Sequence, residues 1–536
     1  MSESTFQFDR RRFLIGGLAT GGLVLVNPRL GFSAGGPIAD TAFGKVEGYD
    51  DGPIKVFKGI PYGAPTGGAN RWLPAKAPKA WTGVRDATSP GDMCPQRFGA
   101  PMLEETALLQ TGPMTEDCLH VNVFTPAVGA NSTKRPVMVW FHGGGFAAGS
   151  GNATTYNGRN LCEKHDVVVV SVTHRLNIFG FLYLPEIYGA EYADSGNVGI
   201  MDCVAALQWV KANIGNFGGD VNNVTIFGQS GGGGKVSALM GIPSAKGLFH
   251  KAIVQSASFL RGTPKERAAD GGKRVIEALG VTSLKDLQAV PQDKLIAAMG
   301  TARLATAPVV DGRTLQANPF EPTATPLSSN VPLMIGFTRN EANFTPNPII
   351  DPIDDARLSE LVKGVFPNIA QPDVDKLVGV VRTQNPGAPN HLVYQLIASQ
   401  NTGAVITQQA DRKAEQKAAP VYVYYFTHTV AARGGRLGAP HTAEIPYVWD
   451  SLSHAEPLVG RVTAKEQALA DKLSLTWVSF AKTGSPNNKL MPSWTAHDPQ
   501  ARPVMILDDE PKLVNDPLKP SRVAIAEMRT KYLPTT

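Results

Sequence analysis

Six segments of this chain carry nearly unbroken runs of strand-forming residues: Pro136-VMVWFHGGG, Asp166-VVVVSVTH, Asn223-VTIFGQS, Lys251-AIVQSAS, Val331-PLMIGFT and Pro420-VYVYYFTH. Each begins at a turn signal, and its apolar residues follow one another instead of alternating. A strand with one wet face alternates; a strand buried on both faces does not. Between the runs lie helical patterns such as Asp202-CVAALQWVKANI, where apolar residues recur at threes and fours. That order implies an α/β fold: one large, mostly parallel, twisted sheet with helices on both faces. Residues from Thr41 to Asn122 read as short strands and turns forming an antiparallel edge of the same sheet. Residues 262–330 and 351–400 read as helical, loop-rich insertions, the usual material of a lid or pocket wall. No repeat, low-complexity tract or linker divides residues 37–536, which are read as a single domain.

Composition narrows the class. A hydrophobic content of 43% with 18% charged residues suits a globular core, and a net charge of +5 is small for 536 residues. No Lys/Arg block beyond the N-terminus offers a nucleic-acid surface. The N-terminus reads differently: Arg10-Arg11, a spacer, then Phe13-Leu14 resembles the twin-arginine export signal of bacteria. The apolar run from Leu14 to Val26 is diluted by Gly16, Gly17, Gly21 and Gly22 and falls short of the ~20 residues a membrane span needs. Ser33-Ala34-Gly35-Gly36 offers a cleavage site. Residues 1–36 are therefore expected to be an export signal read by the twin-arginine machinery. The mature protein is expected to have no stable membrane span and to be periplasmic or secreted. Export would permit disulfides among Cys94, Cys118, Cys162 and Cys203, but four cysteines allow three pairings and spacing does not choose. Cys162 and Cys203 sit in apolar patterns and read as buried thiols.

The stretch TIFGQSGGGGKVS, Thr225 to Ser237, admits two chemistries. A phosphate cradle, G-x-x-x-x-G-K-[ST], needs glycine at 229 and a hydroxyl after the lysine. The chain has Gln229, and Val236 follows Lys235. A nucleophile elbow, G-x-S-x-G, fits without repair as Gly228-Gln229-Ser230-Gly231-Gly232 directly after a strand. Glycines suit such a turn because a Cβ at either flank would collide with the strand or the helix. A glycine in a helix costs ~1 kcal/mol relative to alanine. Four in a row, Gly231–Gly234, therefore demand a packing reason. A second motif, Trp140-Phe-His-Gly-Gly-Gly-Phe146, ends an earlier buried strand, and its glycines let backbone N–H donors approach a developing oxyanion.

With both motifs in view, the chain resembles the type-B carboxylesterase family of α/β-hydrolases. The resemblance is carried by Phe57-KGIPYGAP, Glu116-DCLHVNV, His142-GGGF, Arg175-LNIFGFL, Asn197-VGIMD, Phe217-GGDVNNVTIFGQSGG, Phe480-AKTGSPN and Pro492-SW, from about residue 40 to residue 510. It implies an acid in a G-x-x-x-x-E pattern, here Gly336 to Glu341, and a base in H-x-x-E-[IL]-P, here His441 to Pro446. The order Ser230, Glu341, His441 is the one expected of an α/β-hydrolase. Five histidines follow Glu341, namely His391, His428, His441, His454 and His497. His428 lies in a strand pattern, whereas His441 lies in a glycine- and proline-flanked loop beyond one. Ser256 and Ser258 also follow a strand but lack elbow glycines.

The resemblance implies that Ser230 attacks, that His441 takes and returns the proton, and that Glu341 fixes the imidazole. Gly144, Gly145 and Gly231 would donate N–H groups to the oxyanion, with no metal or cofactor. His142 would belong to the oxyanion turn. Family members also place a disulfide at the positions of Cys94 and Cys118. The only aromatic residue in that loop is Phe98, so a choline cage built on tryptophan is not expected. Leu103, Leu108, Leu109 and Phe146 are candidates to line an apolar gorge. The chain departs from the common Glu-Ser-Ala elbow with Gln229-Ser230-Gly231, and from Asp-Glu-Gly at the acid with Asn340-Glu-Ala342. The expected substrate is a small-molecule carboxylic ester. Amide or carbamate hydrolysis by the same triad, or a non-catalytic binding protein on this fold, are the alternatives.

Overall fold

The computed structural model describes residues 35–97, 104, 108 and 112–533. The apolar runs pair into one eleven-stranded sheet. In spatial order it passes from Lys512–Asn515 through Pro503–Leu507, Val421–Phe426, Leu333–Thr338, Lys251–Gln255 and Gly219–Gln229. It continues through Arg135–Phe141, Val168–Thr173, His120–Thr125 and Ile54–Pro61 to Tyr49–Asp51. The strands from Pro503–Leu507 to Val168–Thr173 are parallel, and both edges are antiparallel. Strands His120–Thr125, Val168–Thr173, Lys251–Gln255, Leu333–Thr338 and Val421–Phe426 are buried at every residue, as unbroken apolar runs require.

Each strand feeds two cores. On Arg135–Phe141, Val137, Val139 and Phe141 enter one cluster with Leu207 and Val210 of helix Val198–Asn213. Met138 and Trp140 enter the other, with Leu473 and Trp477 of helix Ala464–Thr483. Residues 37–536 form one compact unit. Helices Lys265–Leu279, Leu284–Ala289 and Gln292–Thr301 fill the first expected insertion. In the second, Asp355–Val365, Gln371–Gln384 and Asn390–Glu415 pack with Lys519–Tyr532 around a third apolar cluster. The last of these insertion helices runs beyond residue 400 because its apolar face continues to Ile406 and Ala410, which join the core beside the sheet.

Two expectations need correction. The N-terminal strands do not all join the main sheet: Ile38–Thr41, Gly44–Glu47 and Val84–Asp86 make a separate three-stranded sheet. The chain changes sheets at Gly48, where a Cβ would lie 2.2 Å from the Val56 carbonyl oxygen. Cys94 and Cys118 are free, buried thiols, not a disulfide. The Cys94 sulfur accepts the Leu176 N–H at 3.3 Å, and a hydrogen bond with Cys94, together with burial, pushes the Cys118 thiol well up. Cys162 and Cys203 are buried thiols too, raised by desolvation. The expected export signal lies outside the described residues apart from Gly35 and Gly36. Among the described residues no helix is long and apolar enough to cross a membrane.

Candidate active site

Strands Arg135–Phe141 and Gly219–Gln229 are neighbours, but the chain between them leaves to form Val168–Thr173 on the far side of the first. Their carboxyl ends therefore diverge into loops and open a crevice, the ordinary ligand position in an open α/β sheet. One end carries His142 to Phe146; the other carries Ser230.

Ser230 caps helix Gly231–Leu239 with φ 56° and ψ −128°, a strained conformation for a residue with a side chain. The flanking glycines are explained by distance. A Cβ on Gly228 would lie 2.5 Å from the Gly232 carbonyl carbon, and one on Gly232 would lie 1.9 Å from the Phe141 oxygen. The Ser230 N–H donates to the Gln255 carbonyl at 2.8 Å, which pins the turn to the next strand. The glycine turn from His142 to Phe146 runs alongside, with Gly144 and Gly145 at φ 87° and 63°. The N–H groups of Gly144, Gly145 and Gly231 have no acceptor among the described residues. From outside, Asn177 holds the segment after the turn: its N–H donates to the Phe146 carbonyl at 2.7 Å and its side-chain amide to that of Ala147 at 3.0 Å. The loop bearing Asn177 is fixed by a buried, two-pronged Arg175–Asp202 pair at 2.7 and 2.8 Å.

Glu341 follows strand Leu333–Thr338 after a short turn and is buried; its Oε1 accepts the Thr338 N–H at 2.7 Å. Its Oε2 meets Nδ1 of His441 in a short hydrogen bond. Two asparagines join the Glu341 and His441 loops. Asn340 accepts the Ala439 N–H at 2.9 Å and donates to Gln395 at 2.8 Å, while Asn343 donates to the Leu437 carbonyl at 2.9 Å. Gly438, at φ 66°, is glycine because a Cβ would lie 2.2 Å from the Asn340 oxygen. The side-chain amide of Gln229, beside the elbow serine, donates to the main-chain carbonyl of His441. This bond brings the His441 loop against the turn at Ser230, and an ionised glutamate could not make it. The edge of the exposed Phe344 ring meets the His441 ring, with centroids 4.9 Å apart.

The other histidines are placed elsewhere. His428 pairs with Asp509 at 3.1 Å and His497 with Asp411 at 2.9 Å, while His391 lies on helix Asn390–Glu415. His142 is buried in the oxyanion turn, stacked on His174 at 5.0 Å, and both imidazoles are held well below their usual range by burial and the nearby Lys235. Ser256 is buried. Lys235 is not aimed at an open loop, as a phosphate cradle would need. It lies fully buried and donates to the His142 and Gly145 carbonyls, and burial pushes its amine down to about 7. His428, Asp508 and Asp509 could approach a metal together, yet Asp509 already pairs with Lys465 and Asp508 with Thr427. Of the gorge candidates, Phe146 packs on Phe181 and Phe259 at 5.4 and 5.8 Å. Leu108 packs on the second core, and Leu103, Leu109 and Phe98 lie outside the described residues. Sequence reasoning missed Asn343, Asn177 and the Arg175–Asp202 pair. The last three stand inside the quoted motifs Arg175-LN and Asn197-VGIMD, which was the available signal.

Fold and site together define a serine hydrolase on the α/β-hydrolase scaffold. The chain belongs to the carboxylesterase family, whose model matches residues 35–526. It is 34% identical to the para-nitrobenzyl esterase of Bacillus subtilis (strain 168) over 495 residues, covering 90% of this chain and 96% of that one. It is 30% identical to the phenmedipham hydrolase of Pseudarthrobacter oxydans, covering 91% and 99%. Its fold matches the crystal structure of a Geobacillus stearothermophilus carboxylesterase with a TM-score of 0.79 at 33% identity, covering 91% and 99%. The protein is a carboxylesterase.

Proposed function

We propose that the enzyme hydrolyses small carboxylic esters through an acyl-enzyme on Ser230. The observation that carries this reading is the Glu341–His441 hydrogen bond, with the base loop held against the elbow through Gln229. With Nδ1 engaged by the carboxylate, Nε2 is the ring nitrogen that takes the Ser230 proton as Oγ attacks the carbonyl carbon. The acyl C=O becomes an oxyanion that accepts from the N–H groups of Gly144, Gly145 and Gly231, each such donor supplying ~2.7–4 kcal/mol of barrier reduction. The tetrahedral intermediate collapses, and the His441 imidazolium returns the proton to the departing alkoxide as the alcohol leaves. Water, deprotonated by His441, then releases the acid and restores Ser230. Carbamates are the second reading, favoured by the phenmedipham hydrolase among the relatives.

We also propose that residues 1–36 export the folded enzyme by the twin-arginine route; Arg10-Arg11, a spacer and Phe13-Leu14 ahead of a glycine-diluted apolar run support this. Hydrolysis of p-nitrophenyl acetate and butyrate by parent and Ser230→Ala tests the chemistry. A fall in kcat by a factor on the order of a thousand or more supports it, and an unchanged rate refutes it. Replacing Arg10 and Arg11 by lysine is expected to leave the enzyme in the cytoplasm.

A further inference from the structure

Beneath the oxyanion turn lies a group that ester hydrolysis does not itself require. Lys235, one helical turn after Gly231, has no exposed surface. Its Nζ donates to the carbonyls of His142 at 3.0 Å and Gly145 at 2.8 Å. It makes no ion pair among the described residues; its other neighbours are the Phe146 ring at 5.3 Å, His142, His174 and Cys203. Burying such a group without a carboxylate is costly, so the site must gain something from it.

The hydrogen bonds of the turn show what is gained. In a trans peptide the N–H points opposite to the carbonyl. Every carbonyl from His142 to Gly145 has an internal partner: Lys235 holds the first and last, His142 Nδ1 holds that of Gly143 at 2.8 Å, and the Ala148 N–H holds that of Gly144 at 3.0 Å. The Gly144 and Gly145 N–H groups share peptide planes with the Gly143 and Gly144 carbonyls. With those two held inside, the N–H groups face the other way, and Lys235 fixes the peptides on either side of them. The turn passes Ser230 closely enough that a Cβ on Gly143 would lie 3.5 Å from the serine Cβ. A second observation is independent. A Cβ on Gly231, where the family commonly has alanine, would lie 2.0 Å from the Gly145 oxygen and 2.4 Å from its carbonyl carbon.

We propose that Lys235 is a positioning residue for the oxyanion turn, drawing the His142 and Gly145 carbonyls inward, and that Gly231 is its complement because the clamped Gly145 carbonyl fills the space of a Cβ. An ammonium and a neutral amine each carry at least two N–H donors, so the clamp holds in either state. The inference rests on the reading of Gly144, Gly145 and Gly231 as oxyanion donors.

The test compares parent, Lys235→Met, Gly231→Ala and the double variant in p-nitrophenyl butyrate hydrolysis and in inhibition by a trifluoromethyl ketone, which forms a tetrahedral adduct. Lys235→Met is expected to lower kcat about tenfold or more with KM within about twofold, and to weaken ketone binding by a similar factor. Gly231→Ala alone is expected to do the same, but to cost less than about threefold once Lys235 is gone, because the released turn can move off the methyl. A folded Lys235→Met with parental kcat and ketone affinity overturns the proposal, and so do penalties that multiply independently in the double variant. If Lys235→Met does not fold, Gly231→Ala carries the test, and parental kinetics there would overturn the clamp. Ser230→Ala run in parallel separates the two readings. Activity surviving that change defeats the nucleophile assignment, whereas its loss beside an unaffected Lys235→Met defeats only the clamp.

Discussion

The two halves of the site are built by different means. On the Ser230 side, main chain packs against main chain: Gly228, Gly231 and Gly232 are glycine because neighbouring carbonyl groups stand where a Cβ would be. On the Glu341–His441 side, side-chain amides do the joining. Asn340, Asn343 and Gln229 tie the Glu341 and His441 loops to each other and to the elbow. Close backbone packing tolerates no added atom, whereas an amide bridge can be weakened in steps. The first half should fail abruptly under substitution and the second gradually.

That contrast can be broken at several points. Gly232→Ala should have the largest effect, since its methyl would sit 1.9 Å from the Phe141 oxygen. Activity is expected to fall about a hundredfold or more with lower thermal stability, as overpacking costs roughly 1–3 kcal/mol or more. A well-folded, active Gly232→Ala would end the idea of a rigid backbone half. Asn340→Leu leaves the Ala439 N–H and the Gln395 oxygen without partners. Denaturant unfolding should show a loss of about 1–3 kcal/mol with a moderate drop in kcat. Parental stability would show that the bridge carries no load.

Gln229→Glu places a carboxylate against the His441 carbonyl and should lower kcat about threefold to tenfold with KM little changed. Because a protonated glutamate regains a donor, the ratio of variant to parent kcat should rise as pH falls. A flat ratio would contradict the bond.

The smallest effect concerns Glu444, buried behind the base loop and hydrogen-bonded by Gln255 at 3.2 Å. Burial and the Glu341 charge push its carboxyl from 4.5 to about 7. A raised folded-state pKa means the native state binds the extra proton. Its stability is therefore full below the unfolded value of 4.5 and is lost as pH rises through about 7. Glu444→Gln should lack this loss, so its melting temperature relative to the parent should climb across that window. A constant difference would argue against the shift.

Legibility in the sequence divides along the same line. Glycine runs and unbroken apolar strands report backbone packing directly, so the parallel sheet, the tight turn at Ser230 and the glycine turn beside it are legible in the sequence. The separate N-terminal sheet could not, because short half-exposed strands such as Ile38–Thr41 do not say which edge they will join. In the sequence Asn340 and Gln229 read only as departures from a family pattern. Their function depends on partners about a hundred or more residues away, Ala439 and His441, which local pattern does not reveal. The Cys94–Cys118 pairing failed for a related reason: proximity follows from the fold, but bond formation depends on redox state and geometry.

The proposal that Ser230 accepts the acyl group can be checked by titrating the enzyme with diethyl p-nitrophenyl phosphate and mapping the adduct by peptide mass spectrometry. One diethylphosphoryl group is expected on Ser230, with activity lost in proportion to labelling and no adduct in Ser230→Ala. An adduct on another residue, or full labelling of Ser230 with activity retained, would contradict it.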